Sequence, residues 1–258
     1  MNITSLLENT TAHSDVAVEH GLSLYIETEQ HKLLFDMGQT NLFAKNAVVL
    51  GVDLSSVDIA VLSHGHYDHG GGLLTFLEQN GQAPVFIHKD AFLPHYNGTE
   101  KYIGLDSSLQ ANSRIMFTDS ECRIDEGISL FSCNNIKRKH SFGSFGLTER
   151  TNDGFIPDDF RHEQYLLIEE NGKRILISGC SHKGILDIAQ WFHPDVLVGG
   201  FHFSKMELGE SLANAAKALA AYPTDYYTCH CTGTEQFSYM KQYMPRLRYL
   251  SCGETIIL

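Results

Sequence analysis

The 258-residue chain has no C-x-x-C pair, no apolar stretch approaching a membrane span, and no linker, repeat or low-complexity block. Without C-x-x-C, a structural zinc ribbon is not expected. Without some 20 consecutive apolar residues, neither is a spanning helix. The opening stretch MNITSLLENTTAH lacks the basic n-region and long apolar h-region of a secretory leader, so a cytoplasmic location is expected. Basic residues are few: 19 Lys and Arg stand against 31 Asp and Glu, for a net charge of −12. Such a surface repels nucleic-acid phosphates and anionic membranes, so neither is expected as a general partner, while a local basic pocket stays compatible. With no linker in view, one domain over residues 1–258 is the simplest organisation.

What is present begins with a hydrophobic content of 43%, enough for a sizeable core. The six cysteines need not be staples in a chain of this length, and Cys122, Cys133 and Cys252 read as buried free thiols. Strand-length apolar runs alternate with helical patterns. LSLYIET and HKLLFDMG form an expected hairpin, and NLFAKNAVVLGV an expected helix ending near Gly51. VDIAVLSH reads as a buried strand, LLTFLEQNG as a short helix and APVFIHKDAF as a further strand. EQYLLIEE and KRILISG flank an Asn-Gly turn. Beyond it, HKGILDIAQWF, GESLANAAKALAAY and TEQFSYMKQYM suit helices, with PDVLVGGFHF and DYYTCHCTG as strands between. Residues 97–152 are the least regular, with short strands expected in RIMFTD and GISLFSC. The fold class expected is layered α/β.

The densest chemistry lies in VLSHGHYDHGGGL, which sets His64, His66, Asp68 and His69 in an H-x-H-x-D-H spacing between a buried strand and a helix. Alternate residues of an extended loop point the same way, so His64 and His66 can meet on one ion, while Asp68 and His69 can face a second. Imidazole and carboxylate donors suit zinc, iron and manganese. Glycines 70–72 allow a tight turn and close backbone approach. Further donors are expected at later strand ends, where LISGCSH ends in His182, LVGGFH in His202, and YYTCHCTG carries His230. His162 precedes a strand and ranks lower, and His13, His20, His31, His88, His95, His140 and His193 read as structural.

The HGHYDH element resembles the signature of the metallo-β-lactamase superfamily. EHGLSLYIET, LLFDMGQT, ISGCSHKGI, VGGFHF and CHCTG together resemble its branch of metal-dependent hydrolases related to dihydropterin ribofuranosylaminobenzene phosphate synthase, from about Glu19 to the last helix. The resemblance implies a four-layer αββα sandwich with a site for two divalent ions, zinc before manganese or iron. It implies that His64, His66 and His182 hold one ion, that Asp68, His69 and His230 hold the other, and that Asp36 supports the ligand loop. One departure stands out: Gly179-Cys180 occurs where many members carry Gly-Asp with a bridging aspartate. Cys180 either serves as a thiolate ligand or sits unused, which leaves one ion or two.

The reaction expected is hydrolysis of an ester or phosphoester-type small molecule. Two ions about 3.5–4 Å apart bring the pKa of a shared water toward about 7. Asp68 is expected to assist proton transfer and His202 to contact substrate. Lys183, beside His182 near a helix start, reads either as a phosphate contact or as a solvated lysine. Phe142, Phe145 and Tyr96 read as ring-stacking or local packing residues. The rivals are a pterin-related synthase or transferase reaction, iron-dependent redox chemistry drawing on Cys229 and Cys231, and a purely structural ion, which the His/Asp-rich donor set disfavours.

Overall fold

The structure, a computed structural model, describes residues 1–140 and 142–258; Ser141, within the irregular stretch, lies outside them. The first sheet comprises β1 (Asn2–Leu7), β2 (Ser23–Glu27), β3 (Lys32–Phe35), β4 (Ile59–Val61), β5 (Val85–His88), β8 (Ile115–Thr118) and β18 (Thr255–Ile257), in spatial order 18-1-2-3-4-5-8. The second comprises β9 (Glu121–Asp125), β10 (Ile128–Phe131), β13 (Tyr165–Glu170), β14 (Lys173–Ile177), β15 (Val196–Gly199), β16 (Asp225–Thr228) and β17 (Leu247–Tyr249), in order 17-16-15-14-13-10-9. A third, smaller sheet joins β6 (His95–Asn97), β7 (Lys101–Tyr102), β11 (Leu147–Thr151) and β12 (Gly154–Pro157), in order 12-11-6-7.

Alternation along the strands decides the layers. In β3, β4, β14 and β15, the residues Leu33, Phe35, Ile59, Val61, Ile175, Ile177, Val196 and Val198 join the core between the two large sheets. Their neighbours Leu34 and Ala60 turn to the other face, against Phe43, Ala47 and Phe76 from α1 (Leu42–Val49) and α3 (Leu73–Gln79). Leu176 and Leu197 likewise turn outward onto α4 (Ile185–Phe192), α5 (Glu210–Ala220) and α6 (Thr234–Met240). With a side-chain period of two, each strand serves two apolar layers at once. The result is the expected αββα sandwich, each fully buried Leu, Ile or Phe contributing about 1.5–3 kcal/mol. Among the described residues, no helix is long and apolar enough to cross a membrane.

Each large sheet is half antiparallel and half parallel. β3, β4, β5 and β8 run parallel, as do β14, β15, β16 and β17. Loops leaving the carboxyl ends of parallel strands are where open α/β sheets gather their sites. Asp36 follows β3, His64 and His66 follow β4, Cys180 and His182 follow β14, His202 follows β15, and His230 follows β16. The third sheet departs from the sequence expectation for residues 97–152. Its strand β12 is exposed along its whole length, so it carries no alternation to read. All six cysteines are unpaired; Cys252 is buried as expected, while Cys122 and Cys133 are only half-buried.

Candidate metal centre

The loop after β4 delivers its histidines through a one-turn helix, α2 (Tyr67–Gly70), which brings Asp68 and His69 round behind His66. The turn is tight because Gly72 lies against the Met37 carbonyl and the Phe43 ring, where any side chain would collide. His64, His66 and His182 place one nitrogen each within 4.8 Å of one another, as do the donor atoms of His64, His69 and Cys180. Asp68 Oδ2 lies 3.7 Å from His69 Nε2 and 3.4 Å from His230 Nε2, and those two nitrogens are 3.2 Å apart. Cys180 Sγ stands 3.2 Å from His69 Nε2, between the two groups. The structure thus brings together His64, His66, Asp68, His69, Cys180, His182 and His230.

The hydrogen bonds behind these rings fix which nitrogen faces inward. Asp36, as a carboxylate, accepts from the Ser63 backbone N–H, the Ser63 hydroxyl and His69 Nδ1–H at 2.7, 2.7 and 2.6 Å. Ser63 Oγ points its O–H at Asp36, so it accepts from His64 Nδ1–H at 2.8 Å. His230 Nδ1–H donates to Asn9 Oδ1 at 2.8 Å. In His64 and His230 the proton sits on Nδ1 and Nε2 points into the cleft, while His69 Nδ1–H is fixed by Asp36 and its Nε2 faces Cys180 and His230. His64 Nε2, His66 Nε2 and both nitrogens of His182 are buried with no hydrogen-bond partner among the described residues. A buried polar atom left unpaired costs about 1–3 kcal/mol, and Nε2 of His69 and of His230, 3.2 Å apart, share either one proton or one cation between them. The donor set therefore fits divalent ions. Burial holds His64 and His182 well below the usual histidine range, with neighbouring imidazoles adding to it, so both present neutral rings. For His69, burial opposes the charged form, but the Asp36 and Asp68 carboxylates outweigh it and raise its pKa, so a proton is held where a metal charge would sit.

Each donor loop is pinned by one buried carboxylate. Asp36 holds the His64–His69 loop as described. Glu163 accepts from the backbone N–H groups of His182 and Lys183 at 2.7 and 3.1 Å, and from the Tyr165 hydroxyl at 2.7 Å. Glu8 accepts from the His230 N–H at 2.6 Å and the Tyr249 hydroxyl at 2.7 Å. All three are fully buried, and among the described residues none forms a salt bridge with lysine or arginine. Backbone strain collects here too: Asp36, Ser181, His202 and His230 all adopt left-handed conformations, with φ of 61°, 58°, 56° and 48°.

The site opens into a cleft of about 240 Å³. His202 forms one wall, its ring 4.3 Å from His182 and 4.1 Å from Phe145, and burial pulls its pKa down to about 3. His20, read from sequence as structural, stands at the lip with its side chain 57% exposed and Nε2 3.2 Å from Asp68 Oδ2. Lys101 and Lys205 line the mouth. Lys183 corrects the phosphate expectation. Its Nζ is buried and donates to the Ser132 and Glu163 carbonyls and to Asn134 Oδ1, at 2.6, 2.9 and 2.8 Å, and burial lowers its pKa to about 8. Tyr96 stacks edge-on against Tyr102 and Phe155 in the third sheet, Phe142 packs on Phe203, and only Phe145 of those three aromatics lines the cleft.

Beside the cleft lies a second buried cluster that the sequence does not announce. Asp158 Oδ2 accepts from His95 Nδ1–H at 3.0 Å and His162 Nε2–H at 3.2 Å, and Oδ1 from the Phe160 N–H at 2.7 Å. His162 Nδ1 accepts from the Gly65 N–H at 2.9 Å, so both of its nitrogens are used. Burial opposes the Asp158 carboxylate, but the three surrounding histidines hold its pKa far below the ordinary range. The sequence signal for Asp158 was the Asp158–His162 spacing within DDFRHE, just before a buried strand; Glu8, Glu163 and His95 offer none.

The family model described as the metallo-beta-lactamase superfamily matches residues 16–227. The crystal structure of Tm1679, a metal-dependent hydrolase of the beta-lactamase superfamily, superposes with a TM-score of 0.85 at 29% identity, over 100% of this chain and 99% of that one. MJ0448 of Methanocaldococcus jannaschii, an uncharacterized protein, is 29% identical over 253 residues, 92% of this chain and 93% of its own. From the same organism, 7,8-dihydropterin-6-methyl-4-(beta-D-ribofuranosyl)-aminobenzene-5'-phosphate synthase is 27% identical over 268 residues, 92% of this chain and 90% of its own.

Proposed function

The chain belongs to the metallo-beta-lactamase superfamily, and on that premise we propose that it is a two-metal hydrolase of an anionic, phosphoester-type small molecule. The observation that carries the reading is the pair of adjoining donor groups, with unpartnered nitrogens, at the floor of an open cleft. His64, His66 and His182 would hold one ion and Asp68, His69 and His230 the other, with Cys180 between them. Zinc fits this donor set best, ahead of iron or manganese. When bound, such ions supply Lewis-acid polarisation and a low-pKa water.

The chain's own groups do the rest. Asp68 reaches both the second donor group and the exposed His20, so a proton taken up at Asp68 Oδ2 has a route to solvent through His20 Nε2. His202 stays neutral and offers a buried, unpartnered Nδ1 beside His182, suited to orienting substrate. Lys101, its Nζ 5.4 Å above the Tyr67 ring, and Lys205 give the mouth positive charge on an otherwise acidic chain, which favours an anionic group. Phe145 gives a flat apolar wall against His202. Residues 1–258 act in this reading as one domain, since both large sheets contribute donors, and the six unpaired cysteines support a cytoplasmic setting.

The second reading is group transfer, as in the synthase to which the chain is 27% identical. The test is metal analysis of protein purified without added metal, followed by turnover of a generic phosphodiester. About two equivalents of metal, and turnover that falls about 10³-fold or more in Asp68→Ala, support hydrolysis. Two bound ions with no turnover of phosphodiester, phosphomonoester or ester would transfer the assignment to group transfer.

A further inference from the structure

We propose that the second metal position takes two thiolates, Cys180 and Cys231, which makes it a site for a thiophilic divalent ion rather than for magnesium or calcium. The proposal rests on the two-ion reading above and adds a donor to it. Cys180 Sγ, Cys231 Sγ and a ring nitrogen of His230 all lie within 4.8 Å of one another, and all three residues line the cleft. Cys231 Sγ is 3.5 Å from the Cys180 carbonyl, which ties the two donor loops together. The two thiols of the Cys229-His230-Cys231 run are not equivalent. Cys229 belongs to the apolar core between the sheets, while the short helical turn from His230 to Thr232 swings Cys231 to the cleft.

The neighbour of that sulfur is specific. A Cβ on Gly200, at the end of β15, would collide with Cys231 Sγ, so the glycine leaves the space the sulfur occupies. No charged group is needed to explain a buried thiol at such a place, but two thiols and an imidazole converging beside an aspartate form a soft donor set. Binding would exchange two S–H protons, released to solvent, for one ion held by two thiolates, with no change of oxidation state.

Cobalt(II) loading reads this without turnover. Wild type should bind two equivalents and show the near-ultraviolet sulfur-to-cobalt charge-transfer band. Cys231→Ser should lose about half of that intensity, and Cys180→Ser with Cys231→Ser all of it. Cys122→Ser, on the edge strand β9, should leave it unchanged. Gly200→Ala, which pushes the sulfur without removing it, should also weaken the band. A second measurement needs no variant: the 113Cd resonance of cadmium-loaded wild type should report two sulfur donors at one ion. Two cobalt ions bound without the band, an intensity unmoved by Cys231→Ser, or a one-sulfur cadmium shift would overturn the proposal and leave the two-ion reading standing. Failure to bind cobalt at all would overturn both.

Discussion

Two groups of buried histidines lie within a few ångströms of each other at the sheet edge, and their ring nitrogens are employed in opposite ways. His64, His69 and His230 each give Nδ1–H to an oxygen behind the ring and turn Nε2 toward the cleft. His162 instead spends both nitrogens on protein, one on the Gly65 N–H and one on Asp158, while His95 gives its Nδ1–H to the same carboxylate and keeps an unpartnered Nε2 that belongs to neither pattern. Burial is the same in both groups. What differs is where the acceptors stand. An oxygen behind the rings leaves their far nitrogens for a ligand, whereas the carboxylate among the rings draws the His95 and His162 protons to itself and leaves His162 with no free nitrogen.

The comparison breaks most visibly at His182, whose nitrogens have no partner. His182→Leu should drop turnover about 10³-fold and metal content by about one equivalent. The same variant should leave the metal-free protein within about 1 kcal/mol of wild type in urea unfolding, since no protein hydrogen bond is lost. Asp158→Ala should do the reverse in the metal-free protein and cost about 3 kcal/mol or more, because three N–H donors lose their acceptor in a dry place. His162→Phe tests the seam between the clusters. It frees the Gly65 N–H between His64 and His66, and should lower zinc affinity about 10–100-fold in a chelator competition. The smallest effect is one of pH. Lys183 has a folded pKa lowered to about 8 by burial, against 10.5 ordinarily. Between these values the unfolded chain binds more protons, so its burial penalty is full below about 8 and is relieved as pH rises. Metal-free wild type sets this gain against the loss from buried thiols such as Cys133 and Cys252, whose pKa values burial raises to about 11, so Lys183→Met should make stability fall more steeply from pH 8 upward in urea unfolding.

Much of this site is legible because its donors sit in motifs set by a single chain direction. A buried strand followed by H-x-H-x-D-H names His64, His66, Asp68 and His69, and repeated apolar runs that come with Gly or Cys name His182, His202 and His230, while Cys180 is marked only by the family resemblance, as a departure from Gly-Asp. The sandwich is legible for the same reason, since apolar runs such as VDIAVL and KRILI serve two layers at once. What escapes is non-local. Glu8 reaches His230 across 222 positions and His95 reaches Asp158 across 63, and neither end carries a pattern. Lys183 looks solvated in sequence because nothing local shows that Ser132, Asn134 and Glu163 will surround its ammonium. The third sheet escapes because β7 has two residues and β12 has no buried face.

The position of β1 bears on the order in which the molecule is made. It lies between β2 and β18, so its outer edge stays unpaired until β18, far later in the sequence, has been synthesised. Just beyond β1, Glu8 and Asn9 wait in the same way for His230. The histidines of the HGHYDH loop emerge with Asp36 and Ser63 already behind them, but before Cys180, His182 and His230. Assembly of both the first sheet and the donor cluster therefore waits for the segment from β16 to β18, and until then the growing chain carries its HGHYDH loop exposed.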